Sequence, residues 1–153
     1  MTLKKIVSGG QTGVDRGALD AAITVDIPHG GWCPQGRLAE DGRIADEYLL
    51  QETDSPEYTI RTERNVLDSD ATLILCRGPL SGGTLLTFRF AEEHGRPCLA
   101  VDLDSPIAPA EVLRWLEEHQ VEVLNVAGPR ESQSPGIGKL ARDFVKELLA
   151  PNF

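Results

Sequence analysis

Near its start the chain passes from an apolar strand into a glycine-rich turn that at once opens a helix: Lys5-Ile-Val-Ser-Gly-Gly-Gln-Thr-Gly-Val-Asp-Arg-Gly-Ala-Leu-Asp20. After Thr12 the residues Val14, Ala18, Ala21 and Ala22 recur at helical spacing. Thr12 and Asp15 stand three apart, the spacing of a capping box. Glycines let the backbone turn sharply and let another molecule come close to it. The first turn of a helix leaves N–H groups without partners and carries the positive end of the macrodipole. The turn therefore reads as an anion site, most often for a phosphate. It matches neither the dinucleotide GxGxxG pattern nor the P-loop pattern. A plainer reading is a tight turn that only permits close packing. The polar set Ser8, Gln11, Thr12, Asp15 and Arg16 favours a ligand, since a packing turn has no use for so many hydrogen-bonding side chains.

The rest of the chain repeats the alternation. Strands are predicted at Leu3–Ser8, Val25–His29, Ala71–Cys76, Cys98–Asp102 and Val121–Val126. Helices are predicted at Gly13–Ile23, Thr59–Leu67, from the Ser81-Gly-Gly-Thr84 turn to about His94, at Pro109–Glu118, and in a last segment to Leu149. That last helix would start with Ser134 as N-cap and Pro135 at its first position. Gly95 ends the third helix, and Pro97 prevents its resuming. Residues 30–58 show little periodicity and read as a long functional loop anchored by Trp32, Tyr48 and Tyr58, with a short extended piece at Tyr48–Glu52. Strands alternating with helices imply a parallel sheet covered on both faces. The expected fold is α/β: one three-layer Rossmann-like domain over residues 1–153, with a mostly parallel sheet of about five strands.

Fifteen basic against 24 acidic residues leave a net charge of −9 over 153 residues. A chain this acidic should not attract nucleic acid, so any anion pocket must be local, built from main-chain amides and a few arginines. No apolar run approaches the ~20 residues that span a membrane, and the N-terminus lacks a signal-like apolar core. A cytoplasmic protein with no membrane partner is expected. Three cysteines without paired spacing give no disulfide framework and no zinc motif, so no structural metal is expected. Cys76 and Cys98 fall in apolar runs and read as core. Cys33 lies in a polar loop, where nothing beside it lowers its pKa.

Ligands of doubly wound sheets bind beyond the carboxyl ends of the strands. Three glycine-bearing loops follow strands here, at residues 9–16, 78–84 and 128–136, and a fourth spans 30–42. The expected binding set is Gly9, Gly10, Gln11, Thr12, Gly13, Arg16, Arg37, Ser81, Gly82, Gly83, Thr84, Gly128, Pro129 and Arg130. Two adjacent helix N-termini would hold two phosphates, or one phosphate and a sugar. Arg37 and Arg130 sit between turn residues and are favoured as forked contacts to an oxyanion. Asp15, Glu40 and Glu131, with Asp41 a further carboxylate, are the candidates to act as an acid–base group or to bind a metal. His29 is the one histidine expected near the cleft, because His94 and His119 end helices. No nucleophile triad or metal-ligand spacing stands out.

Several of these stretches occur together in a known family. Ser8-Gly-Gly-Gln-Thr-Gly-Val-Asp-Arg-Gly-Ala-Leu-Asp20, Gly31-Trp-Cys-Pro-Gln-Gly-Arg37, Glu40-Asp-Gly42, Arg61-Thr-Glu-Arg-Asn65, Ser69-Asp-Ala71, Ser81-Gly-Gly-Thr84 and Asn125-Val-Ala-Gly-Pro-Arg-Glu-Ser132 resemble the molybdenum carrier family over nearly the whole chain. That family is similar to a wider Rossmann-like group with the lysine-decarboxylase-like (LOG) proteins and DNA-processing protein A. The resemblance implies a nucleotide or phosphate ligand on glycine turns and a homo-oligomer. Its name implies carriage of molybdenum cofactor, a phosphorylated pterin. LOG-type phosphoribohydrolases pair an arginine before the third strand with a glutamate soon after the Gly-Gly turn. Arg61 or Arg64 matches the arginine, but here Thr84 is followed by Leu85, Leu86 and Thr87, and the first acids are Glu92 and Glu93. The expected function is a carrier of a phosphorylated small molecule, molybdenum cofactor or a nucleotide. The alternative is a hydrolase of a nucleotide N-glycosidic or phosphate bond.

Overall fold

The computed structural model describes residues 2–150. In chain order the elements are β1 (Lys5–Val7), α1 (Val14–Thr24), β2 (His29–Gly30), β3 (Trp32–Cys33), β4 (Leu38–Ala39), β5 (Gly42–Arg43), β6 (Gln51–Glu52), α2 (Tyr58–Leu67), β7 (Ala71–Cys76), α3 (Gly82–Glu93), β8 (Cys98–Asp102), α4 (Pro109–Glu118), β9 (Val123–Ala127) and α5 (Ile137–Leu149). Five strands form one sheet in the order β2-β1-β9-β7-β8, and every neighbouring pair is parallel. The α/β, Rossmann-like fold expected from the sequence is the one observed.

Both faces of the sheet are covered, which explains why β7 is a continuous apolar run with all six residues buried. On one face Ile6, Leu73, Leu75, Leu124 and Val126 pack against Val14, Ala18 and Ala22 of α1, Val112 and Leu116 of α4, and Ile137, Ala141 and Phe144 of α5. The opposite face carries α2 and α3, joined through Val66, Phe90 and Ala91 with Leu86 and Cys98 alongside. The β1–β2 and β8–β9 connections move toward one edge over the first face. The β2–β7 and β7–β8 connections move the other way over the second. A single crossover hand requires this arrangement. The chain therefore leaves the adjacent strands β9 and β7 toward opposite faces, and a crevice opens between their carboxyl ends. Counted from β9 as the first strand, the order becomes 3-2-1-4-5, that of a dinucleotide-binding sheet.

Among the boundaries that differ from expectation, three have local reasons. The second strand is only His29–Gly30, not Val25–His29. Asp26 adopts a left-handed φ of 59°, and the Ile27 N–H returns to the Ala22 carbonyl to close α1. The fifth main strand starts at Val123 because the Asp70 carboxylate accepts the N–H groups of Glu122 and Val123 at its entry. The last helix starts at Ile137 after a left-handed Gly136, so Ser134 and Pro135 lie in the preceding turn.

Residues 30–57 are ordered without long elements. Two small ladders, β3–β6 and β4–β5, shape the segment. Cys33, Ile44 and Tyr48 bury against Leu19 of α1, and the Tyr48 hydroxyl donates to Asp20 at 2.6 Å. Its irregular carbonyls need donors, and the Arg37 guanidinium supplies them, bonding to Ile44, Leu50, Ala45 and Tyr48.

Candidate functional site

The β9/β7 crevice draws its lining from several places. Gln11 comes from the β1–α1 turn, Asp15 from the first turn of α1, and Tyr58, Arg61, Thr62 and Asn65 from α2. Gly83, Thr84 and Thr87 come from α3, and Asn125 through Gly128, Arg130 and Gln133 from β9 and the loop after it. The sequence-predicted loops around Gln11, Gly83 and Pro129 thus meet at one edge of the sheet. The cleft holds a cavity of about 80 Å³. It is a narrow slot with an open mouth.

At its floor Arg61 Nη1 lies 2.9 Å from Asp15 Oδ2, with the side chains 12% and 6% exposed. Gly9 makes this pair possible: a Cβ there would fall 1.6 Å from Arg61 Nη1. Asp15 therefore does not serve as the helix cap. Burial pushes its carboxyl above the ordinary carboxylate range, and the Arg61 charge, with the Gln11 N–H, partly offsets that push. Gln11, only 6% exposed, accepts the Thr12 and Glu40 amides on its side-chain oxygen. Gln11 Nε2 and Arg61 Nε are buried with no hydrogen-bond partner among the described residues. Such groups cost free energy unless something accepts from them. Higher in the cleft, the Arg61 and Arg130 guanidinium carbons lie 5.3 and 5.7 Å from the Tyr58 ring centre. Arg130 forms no ion pair among the described residues.

The three glycine turns divide sharply. The β1–α1 and β9–α5 turns are packed onto each other. The Val14 N–H donates to the Pro129 carbonyl at 3.2 Å, and a Cβ on Gly13 would fall 2.4 Å from that oxygen. Thr12 Oγ1 donates to Glu40 and accepts the Glu131 N–H. The head of α5 is filled by a side chain, because the Glu131 carboxylate accepts the N–H groups of Gly136 and Gly138. Of the three turns, the one before α3 alone leaves its helix head open among the described residues. Ser81 makes no side-chain cap, and a Cβ on Gly82 or Gly83 would meet nothing within 4 Å. The expected pair of free helix N-termini is thus one, since the chain's own groups occupy the other two.

The predicted residues sort accordingly. Gly9, Gln11, Asp15, Gly83, Thr84, Gly128 and Arg130 line the cleft. Ser81 and Gly82 are exposed at the head of α3. Gly10 faces Ile44 and Leu50, and Pro129 uses its carbonyl on α1. Thr12, Gly13 and Arg16 instead line a groove between α1 and α5, with Glu131, Lys139 and Arg142. Arg16 is held there by Asp41 at 2.5 Å and by the Gly10 carbonyl. Arg37 does not reach the cleft; its guanidinium is committed to the 30–57 segment. Glu40 ties that segment to both glycine turns, and its bonds from Ser132 and Thr12 hold its carboxyl below the ordinary value. His29 accepts the Leu49 N–H and stands outside the cleft. Sequence reasoning did not place Tyr58, Thr62, Asn65, Thr87, Asn125 and Gln133 in the site. The signal for the first three was available: Tyr58, Arg61, Thr62 and Asn65 form a polar stripe at helical spacing. Asn125, polar within an apolar strand, was a second signal; its Nδ2 donates to Thr72 on the neighbouring strand. Among the described residues no three of His, Cys, Asp and Glu gather as a metal-ligand set.

A parallel sheet whose order becomes regular when read from β9, with a polar crevice at its switch point, defines a Rossmann-like domain of permuted connectivity. The chain matches the Circularly permutated YpsA SLOG family over residues 6–149, and it belongs to that family. It is also similar to a solved structure, "Putative molybdenum carrier protein" from Syntrophus aciditrophicus SB. The two are 50% identical with a TM-score of 0.92, over 97% of this chain and 96% of that one. No curated protein sequence matches. The resemblance drawn from the motifs is therefore confirmed at the level of the family.

Proposed function

We propose that this protein binds and carries a phosphorylated small molecule in the β9/β7 cleft. One phosphate would sit on the open head of α3, with Arg130 as its countercharge. The observation that carries this reading is the contrast among the three turns: one helix head stays open in the cleft that Arg130 also lines, an arginine with no ion pair among the described residues, and the other two are filled. Amide donors at a helix start and a guanidinium are the groups that hold phosphate. One open head favours one phosphate rather than two. The rest of the ligand would lie along Tyr58, Asn65, Asn125 and Gln133, whose rings and amides suit a flat heterocycle. A nucleotide and molybdenum cofactor both have this form, and the similar solved protein is named a molybdenum carrier.

Thermal unfolding with inorganic phosphate, AMP, ADP, molybdate and molybdenum cofactor tests the proposal. A ligand at about 100 times its Kd adds ~2.7 kcal/mol, a rise of roughly 5–10 °C for a domain of this size. The rise should vanish in Arg130→Ala and persist in Arg16→Ala. A rise untouched by Arg130→Ala would place the site elsewhere.

A second reading, hydrolysis of a nucleotide, is favoured by one observation. Asp15 lines the cleft with its carboxyl pushed up by burial, a condition that suits a general acid. Glu40 and Glu131 already use their carboxylates to hold loops and cap α5. Under this reading Asp15→Asn would abolish product release from a nucleotide but still bind it. Turnover surviving in Asp15→Asn would remove Asp15 from that role.

A further inference from the structure

The Gln11 side chain is fixed by main-chain groups on one side only. Its oxygen accepts the Thr12 N–H at 3.0 Å and the Glu40 N–H at 2.8 Å. Both partners are donors, so the amide has a single orientation: the flipped group would set its NH2 against two N–H groups. The NH2 arm is therefore turned away from the β4–β5 hairpin, which Glu40 belongs to. Gln11 lines the cleft and is 6% exposed. Its Nε2 is buried with nothing to donate to among the described residues.

Arg61 stands beside it in the same condition. The Gln11 main-chain N–H and Arg61 Nη1 both reach Asp15 Oδ2, at 3.3 and 2.9 Å, so one carboxylate oxygen holds the two residues together. Arg61 Nε is also buried without an acceptor among the described residues. The floor of the cleft thus carries two neighbouring donors whose burial costs free energy until an acceptor arrives.

We propose that Gln11 and Arg61 together recognise a carbonyl oxygen on the innermost edge of the ligand, so that the cleft selects phosphorylated heterocycles with a ring carbonyl there over those with an amino group. This rests on the carrier reading above, with the phosphate at the head of α3 and the heterocycle along the slot. A carbonyl oxygen has two lone pairs and can serve both donors, whereas a ring nitrogen has one. An exocyclic amino group would set donor against donor and leave both buried groups unpaired. A second oxyanion is disfavoured, because the Arg61 charge is already answered by Asp15 at 2.9 Å, and that carboxylate repels another anion.

Titration calorimetry with inosine monophosphate (IMP), AMP, ribose phosphate and inorganic phosphate tests the proposal. IMP and AMP differ at one edge of the purine, where the first has a carbonyl and the second an amino group. IMP should bind the wild-type chain about tenfold or more tightly than AMP, which leaves the two buried donors unpaired. Gln11→Glu keeps an oxygen for the Thr12 and Glu40 amides but replaces the donor, and should erase this preference. Arg130→Ala should weaken both nucleotides alike and keep it. Equal binding of IMP and AMP by the wild type overturns the proposal, as does a preference that survives Gln11→Glu. If ribose phosphate loses as much affinity in Gln11→Glu as IMP does, the floor takes the sugar and the proposal falls. So it does if inorganic phosphate binds and neither nucleotide does. In each of these cases the carrier reading stands as long as binding depends on Arg130. If none of the four compounds binds, the carrier reading fails and takes this proposal with it. Should Gln11→Glu not fold, the NMR signal of the Gln11 side-chain NH2 decides: it should shift with IMP and not with AMP, and an unmoved signal overturns the proposal.

Discussion

Arg61 reaches Asp15 only because Gly9 has no side chain, so three residues from separate elements depend on one missing methyl group. Gly9→Ala would expel the guanidinium and leave a carboxyl buried beside β1. Arg61→Ala would do the same directly. Removing one member of a buried pair costs about 3–5 kcal/mol, so urea denaturation at pH 7 should show a loss near the lower figure. The double variant Asp15→Asn/Arg61→Gln should lose less than Arg61→Ala. The pH sign follows from the direction of the shift. A carboxyl raised above its ordinary 3.8 binds a proton more readily folded than unfolded. Its stabilising contribution is full below 3.8 and is lost as pH rises through the folded value. The Arg61→Ala deficit should therefore shrink as the solution is acidified. Glu40 runs the other way. Its carboxyl is held below the ordinary 4.5 by Ser132 and Thr12, so its contribution is complete above 4.5 and fades as pH falls through the folded value. The melting advantage of wild type over Glu40→Gln should close in that acid range. Burial, with Glu92 nearby, pushes the Cys98 thiol up to about 11. Iodoacetamide at pH 8 should label it far more slowly than an ordinary exposed thiol.

Helices α3 and α5 start under opposite conditions. Glu131 holds two amides of α5, whereas Gly82 and Gly83 leave those of α3 open. Glu131→Ala should cost about 1 kcal/mol, the usual loss for a cap, and Glu131→Gln less, because the amide oxygen still accepts. Neither change should alter ligand stabilisation of the cleft. Gly83→Asp would place a carboxylate at the open head of α3. It should leave the fold intact, since nothing lies within 4 Å of a Cβ there, and should repel a phosphate. An undiminished ligand shift in Gly83→Asp would contradict the proposed seat.

The whole chain carries a permuted order. Leu3 precedes β1 and Leu149 ends α5, and both bury in the same core cluster. A variant that joins the last residue to the first by a short linker and begins at Val121 would run its strands in the regular 3-2-1-4-5 order. Gln120 lies in a left-handed turn, an exposed place to cut. Such a variant should give a wild-type far-UV spectrum and retain any ligand stabilisation. An unfolded product would show that the β9–α5 unit must be made last.

The amino-acid pattern by itself determined the layers. Apolar runs such as Ala71–Cys76 and stripes such as Ile137, Ala141 and Phe144 of α5 can bury only in a sheet between helices, because burial follows local periodicity. It also showed which loops carry polar groups and glycines, and its motifs identified the family. Only the tertiary structure decided what those glycines are for. Gly9 and Gly13 make room for Arg61 and Pro129, groups 52 and 116 residues away in sequence, and no local pattern records so distant a neighbour. Arg37 and Arg130 both sit between turn residues, yet one is consumed by four carbonyls and the other lines the cleft over the Tyr58 ring with no ion pair among the described residues. The difference lies in which unpaired main-chain oxygens the fold brings to each, and that is settled by packing.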